Sequence, residues 1–146
     1  DLRWRRCNVK STALLGNVLH FQESYSAQKD ETIMYNANGE LTEASISNVF
    51  IVKNGAVATP ILDNQILPGI SRHIVVDSLR IDGSIPVEER VVTMNEVRQA
   101  DEIWITNSSK HIGPVIELDG EAVGDGLVGP VWEKAMTIYE SVKYDY

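Results

Sequence analysis

The chain has 146 residues, 43% hydrophobic and 23% charged, which suits one globular domain with a core of its own. Its formal net charge of −8, from 13 basic and 21 acidic residues, argues against a nucleic-acid partner, because an acidic surface repels a phosphate backbone; a local site for one small phosphate remains open. The single cysteine, Cys7, rules out an internal disulfide and a cysteine-built zinc centre, so no metal site is expected and Cys7 reads as a small buried hydrophobe. No apolar run reaches the roughly 18–20 residues of a membrane span, and no signal peptide opens the chain, so the cytoplasm is the expected compartment. Asp1 is not an initiator methionine, and Trp4-Arg5-Arg6-Cys7 reads as the edge of a structure already under way, so the chain is expected to belong to a longer protein.

In chain order, Arg3 to Val9 reads as a short strand. Leu14, Val18, Phe21 and Tyr25 then recur at helical spacing, with Ser11 or Thr12 as cap. Glu31 to Asn36 is a strand, followed by the hairpin signal Asn38-Gly39. Leu41 to Asn48 places polar residues where a strand should bury apolar ones. Val49 to Lys53 and Ala56 to Thr59 are strands around a second hairpin signal, Asn54-Gly55. Pro60 to Pro68 is a loop, and Gly69 precedes a helix with Ile70, Ile74, Val75, Ser78 and Leu79 on its apolar face, ended by Asp82-Gly83. Val87 to Val92 is a strand. Thr93 caps a short helix with Glu96 as its capping-box partner. Glu102 to Thr106 is a buried strand leading into the polar loop Asn107-Ser108-Ser109. Val115 to Leu118 and Glu121 to Val123 flank the turn Asp119-Gly120. A last helix runs from near Val128 to about Val142, with Val131, Trp132, Ala135, Met136, Tyr139 and Val142 on one face. The predicted class is α/β or α+β, a mixed and largely antiparallel sheet (a pseudo-barrel) with flanking helices. A doubly wound parallel sheet is disfavoured, and no glycine-rich dinucleotide loop is present.

Four stretches carry polar groups in unexpected places: Cys7-Asn8-Val9-Lys10-Ser11-Thr12, with Lys10 between a strand and a helix, Leu41-Thr42-Glu43-Ala44-Ser45-Ile46-Ser47-Asn48, Ile66-Leu67-Pro68-Gly69-Ile70-Ser71-Arg72, and Trp104-Ile105-Thr106-Asn107-Ser108-Ser109. Each alone has an ordinary reading as a surface lysine, a solvated acid, a helix start or loop filler. Together they supply the parts of a pyridoxal phosphate (PLP) site. A lysine amine attacks an aldehyde when burial or a cationic neighbour favours its neutral form. A carboxylate at the pyridine nitrogen keeps the ring an electron acceptor. A helix N-terminus with small residues, plus nearby hydroxyls, suits a phosphate dianion.

These segments resemble the class IV aminotransferases, the fold-type IV PLP enzymes, and most of all the D-amino-acid aminotransferases. The resemblance spans essentially residues 1–146 as the family's C-terminal large domain. It rests on Trp4-Arg5-Arg6-Cys7-Asn8-Val9-Lys10-Ser11, Leu41 to Phe50, Leu67 to Arg72, and Asn107-Ser108-Ser109-Lys110 before Ile112-Gly113-Pro114-Val115. Leu118-Asp119-Gly120 and Val123-Gly124-Asp125-Gly126 match its closing hairpin. It implies that Lys10 forms the Schiff base with PLP and later shuttles a proton. It implies that Glu43 pairs with the pyridine nitrogen and that Leu67 packs on the ring. Gly69, Ile70 (by its backbone N–H), Ser71 and Ser108 would hold the phosphate, and Ser109 and Lys110 would meet substrate. Ser47 and Asn48 would buttress the glutamate strand, with Arg72 supporting the same region.

Ser71 and Ser108 stand where threonine is frequent, and His111 stands where glutamate is expected; His111 is read as structural. Nothing here resembles the family's N-terminal small domain, which brings a phosphate-binding arginine and the clamp for the substrate carboxylate. The resemblance implies a homodimer and transamination between a D-amino acid, such as D-alanine, and a 2-oxo acid; the Ser45, Ser47, Asn48 and Ser108-Ser109 pattern favours it. Branched-chain aminotransferase and aminodeoxychorismate lyase are the alternatives within the family. An isolated, catalytically inactive PLP-binding or interaction domain is the alternative outside it.

Overall fold

The two asparagine–glycine turns organise the first half of the chain in the computed structural model, which describes residues 1–146. Asn54 and Gly55 both adopt positive φ, 51° and 78°, the backbone a tight two-residue hairpin requires. They join β3 (Asn48–Lys53) to β4 (Ala56–Thr59) in antiparallel register. Asn38-Gly39 similarly turns β1 (Ile33–Tyr35) into β2 (Leu41–Ala44), a separate two-stranded sheet.

The main sheet has five strands in the order β5-β4-β3-β6-β7, completed by β5 (Val87–Glu89), β6 (Glu102–Asn107) and β7 (His111–Val115). Only β4 and β5 run parallel, and helix α2 (Ile70–Asp82) makes the crossover between them. The sheet is thus mixed and mainly antiparallel, with flanking helices, as the hairpin signals predict. Both of its faces are covered, which is why β3 reads as an unbroken Val-Phe-Ile-Val run. Phe50, Val52 and Trp104 pack against Ile74, Val75 and Leu79 of α2 and Ala135 and Tyr139 of α4 (Pro130–Val142). Val49, Ile51, Ile103 and Ile105 face the other way, onto Leu41, Ala44, Val92 and Val97, the last on α3 (Met94–Arg98). At about 1.5–3 kcal/mol for each large apolar side chain removed from water, these two layers hold the sheet rigid.

Glu102 ties α4 to this sheet. Its carboxylate accepts hydrogen bonds from Val131 N (2.9 Å), Trp132 N (2.8 Å) and the indole Nε1 of Trp104 (3.0 Å), so it caps a helix from another element. The close approach requires glycine at 129, where a Cβ would lie 2.1 Å from the Glu102 carboxyl. The predicted capping box is present: Thr93 Oγ1 accepts from Glu96 N (3.3 Å), and Thr93 N donates to the Glu96 carboxylate (2.8 Å).

Several sequence expectations are corrected. Arg3 to Val9 forms no strand; no neighbouring strand takes its peptide groups, which close turns such as Val9 N to Arg6 O (3.0 Å) or reach Asn64 O from Cys7 N (2.8 Å). Helix α1 (Leu15–Ser26) exists, but Leu14 is its cap residue, and Ser11 bonds only Ala13 N. Its apolar stripe is not core: Leu14, Val18 and Tyr25 are exposed, and the helix buries only Ser24. Ile70 points outward while the remainder of the predicted α2 face is buried. The strand from Val87 stops at Glu89. Strand β7 runs through Gly113 and Pro114, ahead of the strand expected from Val115; it is the sheet edge, where a proline's missing N–H costs no ladder bond. The expected Val115–Leu118 strand is divided between β7 and β8 (Glu117–Leu118), which pairs with β9 (Glu121–Ala122). Cys7 is buried and free, and burial pushes its thiol up from the ordinary value. No helix is long and apolar enough to cross a membrane.

Candidate active site

At one end of the main sheet the apolar packing gives way to polar side chains. Asn48 and Thr106 pair across β3 and β6, on the face that carries Phe50 and Trp104 farther along. Helix α2 begins beside them, and the segments containing Lys10 and Glu43 complete the wall. The result is a cavity of about 480 Å³.

Lys10, Glu43, Leu67, Gly69, Ile70, Ser71 and Ser108 all line this one cavity. They come from four separate segments of the chain, and Lys10 and Glu43 are the only charged residues among those lining it. Lys10 is exposed in the irregular segment that follows the Arg5–Asn8 turn, and its amine makes no hydrogen bond or ion pair with the protein. Ser109 and Lys110 are not part of the lining; Lys110 faces a second groove, of about 1250 Å³, between α1 and β7. The geometry therefore separates the two residues expected to meet substrate from the seven that gather.

Glu43 is only 4% exposed, and three donors fix its carboxylate. Leu67 N donates at 3.0 Å, Asn48 Nδ2 at 3.2 Å, and the guanidinium of Arg3 bonds the other oxygen. The Arg3 and Glu43 side chains are 2% and 6% exposed, so this is a buried ion pair, in which losing one partner costs about 3–5 kcal/mol. Burial pushes the Glu43 carboxyl above the usual glutamate range, against the opposing pull of Arg3 and of Leu67 N–H. Arg3 itself is braced by Asp1 and by Gln65 O at 3.0 Å.

Asn48 links this carboxylate to the α2 turn. Its amide also donates to Leu67 O at 2.9 Å, and a Cβ on Gly69 would lie 2.2 Å from its Oδ1. Glycine at 69 is thus demanded by the close approach of Asn48. Gly69 provides no side-chain cap, and the first intrahelical bond runs from His73 N to Gly69 O (3.0 Å), so the leading N–H groups at Ile70 and Ser71 have no intrahelical acceptor. Arg72 points away, bonding Pro60 O (2.7 Å) and Glu89 (2.9 Å), so its support of the turn comes through the Pro60 loop.

The sequence reading gave Thr106 and Asn107 no role of their own and did not single out Asn17 or Glu31. Thr106 lines the cavity, is 2% exposed, and its hydroxyl has no hydrogen-bond partner. Asn107 lines it too, and its Oδ1 accepts from Ser109 N (3.0 Å) and Lys110 N (2.7 Å), which shapes the Ser108 loop. Asn17 holds Ser45 O (2.8 Å) from helix α1. Glu31 grips the Ser45-Ile46-Ser47 turn from outside the cavity. Ser47, expected to brace the glutamate strand, accepts from Ala44 N through its carbonyl (2.7 Å), while its hydroxyl bonds Glu31 and Asn107. His111 adopts φ 59° and bonds the buried Tyr139 hydroxyl at 3.2 Å, outside the cavity.

This cavity combines an unpaired amine, a held carboxylate, a helix N-terminus with free N–H groups, and hydroxyls. The set fits PLP: the aldehyde suits Lys10, the pyridine nitrogen suits Glu43, and the phosphate suits the α2 turn with Ser108. The orphaned Thr106 hydroxyl agrees with that fit.

Residues 1–118 match the family model for amino-transferase class IV, and the chain belongs to that family. It is 40% identical over 131 residues to a D-alanine aminotransferase of Listeria monocytogenes, covering 90% of this chain and 45% of that protein. Among solved structures it resembles a branched-chain aminotransferase with norvaline from the archaeon Thermoproteus uzoniensis, with 33% identity and TM-score 0.86, over 97% of this chain and 49% of the other. It also resembles the PLP form of a branched-chain aminotransferase from Thermobaculum terrenum, with 29% identity and TM-score 0.88, over 96% and 46% of the two chains. The chain spans about half the length of the curated relatives it matches.

Proposed function

We propose that this chain is the PLP-binding half of an enzyme that moves an amino group between a D-amino acid, such as D-alanine, and a 2-oxo acid. The observation that carries the reading is the gathering of Lys10, Glu43, the Gly69-Ile70-Ser71 turn and Ser108 around one cavity. Lys10 would be the covalent anchor for the cofactor, and its Nζ would carry the proton taken from the substrate α-carbon. PLP, when bound, supplies the aldehyde for an amine and a ring that takes up the electron pair of the α-carbon. Glu43 bonds the pyridine nitrogen, and its orientation is fixed by Arg3, Asn48 and Leu67 N. Ile70 N–H, Ser71 and Ser108 bind the phosphate, and Leu67 packs on the ring.

The phosphate end of the cavity has helix N–H groups and hydroxyls but no arginine lining it. That supports a contribution from the small domain, in the part of the relatives this chain does not span, together with the clamp for the substrate carboxylate. Ser109 and Lys110 are assigned to the substrate side, where that clamp would close over their loop. The exposed stripe of Leu14, Leu15, Val18 and Leu19 on α1 supports a homodimer, with a second copy covering it. The free, buried Cys7 suits the reducing cytoplasm. The 40% identity to a D-alanine aminotransferase favours a D-amino acid, and the structural likeness to branched-chain aminotransferases keeps branched-chain substrates as the second reading.

The test is a half-reaction. Protein incubated with PLP and freed of excess should turn yellow, and adding D-alanine should bleach the colour and release pyruvate. Bleaching by L-leucine but not D-alanine would favour the second reading. Colour without bleaching by any amino acid would mark an inactive PLP-binding domain, and no colour would remove the PLP assignment.

A further inference from the structure

We propose that Glu31, outside the cavity, is a positioning residue that sets the Ser108-Ser109-Lys110 loop through a hydrogen-bond relay of Ser47 and Asn107. The cavity of the proposed PLP site has two rims built from separate parts of the chain, the Ser45-Ile46-Ser47 turn after β2 and the loop joining β6 to β7. The relay joins them through side chains, just past the β3–β6 pairing of Asn48 with Thr106.

Each link is present. One Glu31 oxygen accepts from Thr32 N (2.9 Å), Ser45 N (3.2 Å) and the Ser45 hydroxyl. The other accepts from Ile46 N (3.4 Å) and Ser47 Oγ (3.1 Å). Ser47 Oγ spends its proton on Glu31, so it is free to accept, and Asn107 Nδ2 donates to it at 2.9 Å. With its amide hydrogens so oriented, Asn107 turns Oδ1 to the next residues and accepts from Ser109 N (3.0 Å) and Lys110 N (2.7 Å). Donors and acceptors alternate without conflict from a carboxylate at residue 31 to backbone amides at 109 and 110. Reversing Ser47 would set its hydroxyl against the Asn107 amide donor and leave two acceptors facing at Glu31, and flipping Asn107 would set its amide nitrogen against the Ser109 and Lys110 N–H groups. Asn17, donating to Ser45 O, holds the same turn from the α1 side. Ser108 lies between the relay's end residues, so its hydroxyl is aimed by a loop whose shape depends on a residue it never touches.

The structural claim is independent of what fills the cavity; its consequence for ligand binding rests on the PLP reading. Residue-resolved hydrogen exchange on the intact chain tests the first. Ser47→Ala removes the middle of the relay while leaving the bonds of Glu31 to Thr32, Ser45 and Ile46. It should speed exchange at the Ser109 and Lys110 amides by about tenfold, with Val49 to Val52 unchanged, and Glu31→Gln should do the same. Unchanged exchange at Ser109 and Lys110 in both variants would overturn the relay. The second arm titrates PLP and its phosphate-free form, pyridoxal. Glu31→Gln and Asn107→Ala should each weaken PLP by about tenfold and pyridoxal much less, and the double variant should be no weaker than the worse single one. Multiplying effects in the double variant would overturn the coupling. If wild type binds no PLP, the cavity reading fails, and the exchange result still decides the relay.

Discussion

Helices α2 and α4 start alike and are used differently. Each has glycine at its cap, Gly69 or Gly129, and neither glycine offers a side chain to the free N–H groups. At α4 a buried glutamate from β6 fills the gap, with Glu102 bonding both Val131 N and Trp132 N. At α2 no carboxylate arrives; the turn opens into the cavity between Lys10, Glu43 and Ser108. In both places a glycine is needed because another side chain comes too close for a Cβ, the Glu102 carboxyl in one and Asn48 Oδ1 in the other. The same local device is therefore a closed structural joint at one helix and, in the proposed PLP reading, an anion site at the other. What separates them is whether the protein supplies its own anion.

The largest expected effect breaks the closed joint. Glu102→Ala leaves the buried Trp104 indole and two half-buried helix N–H groups unpaired, at about 1–3 kcal/mol each. Urea unfolding should show a loss of about 3–5 kcal/mol, while the PLP affinity of the folded fraction stays near that of wild type. Gly69→Ala breaks the open joint. The new Cβ drives Asn48 off Glu43 and Leu67 O, and PLP should bind at least about tenfold more weakly in a fluorescence titration, with a smaller loss of stability. Ser71→Ala removes one hydroxyl donor, worth about 1 kcal/mol, so PLP should weaken about fivefold and pyridoxal hardly at all.

The smallest effect is a pH slope. Burial raises the Glu43 carboxyl in the folded protein above the ordinary glutamate value of 4.5. The folded state then binds more protons than the unfolded state across that window. The stability contribution of Glu43 is present below 4.5 and is lost as pH rises through the raised folded value. Glu89 has the opposite sign. Burial opposes its ionisation, but Arg72 and Arg80 overcome that and lower its pKa, so its contribution is present above 4.5 and is lost as pH falls through the lowered value. Glu43→Gln should flatten the decline on the alkaline side of 4.5, and Glu89→Gln the decline on the acid side, in urea midpoints measured across pH. Unchanged slopes would mean that neither group is perturbed as described.

Glu43, the Gly69 turn and Ser108 were legible in the sequence because each is a local anomaly: a carboxylate inside a strand pattern, a glycine and serine opening a helix, a hydroxyl loop after a buried strand. Hairpins and capping boxes are likewise short-range and read correctly at Asn54-Gly55 and Thr93 to Glu96. What could not be read depends on distant partners. Glu31 looks like an ordinary acid opening a strand, and its meaning lies in serines 14 and 16 residues on. Thr106 looks like a strand residue until its unpaired hydroxyl is seen at the cavity wall. Glu102 gains its role only when α4 returns to it from almost 30 residues away. The stripe on α1 obeys helical periodicity yet lies on the surface of this chain, since periodicity records an apolar face and not what covers it.

The central claim is that the amine serving the α2 turn is that of Lys10. Borohydride reduction of the PLP-loaded protein followed by peptide mapping tests it most directly. The account predicts that the reduced cofactor sits on Lys10, that Ser71→Ala lowers the yield, and that Lys10→Ala abolishes the modification. Equal labelling of Lys29, Lys53 or Lys110, or undiminished labelling of Lys10→Ala, would contradict it.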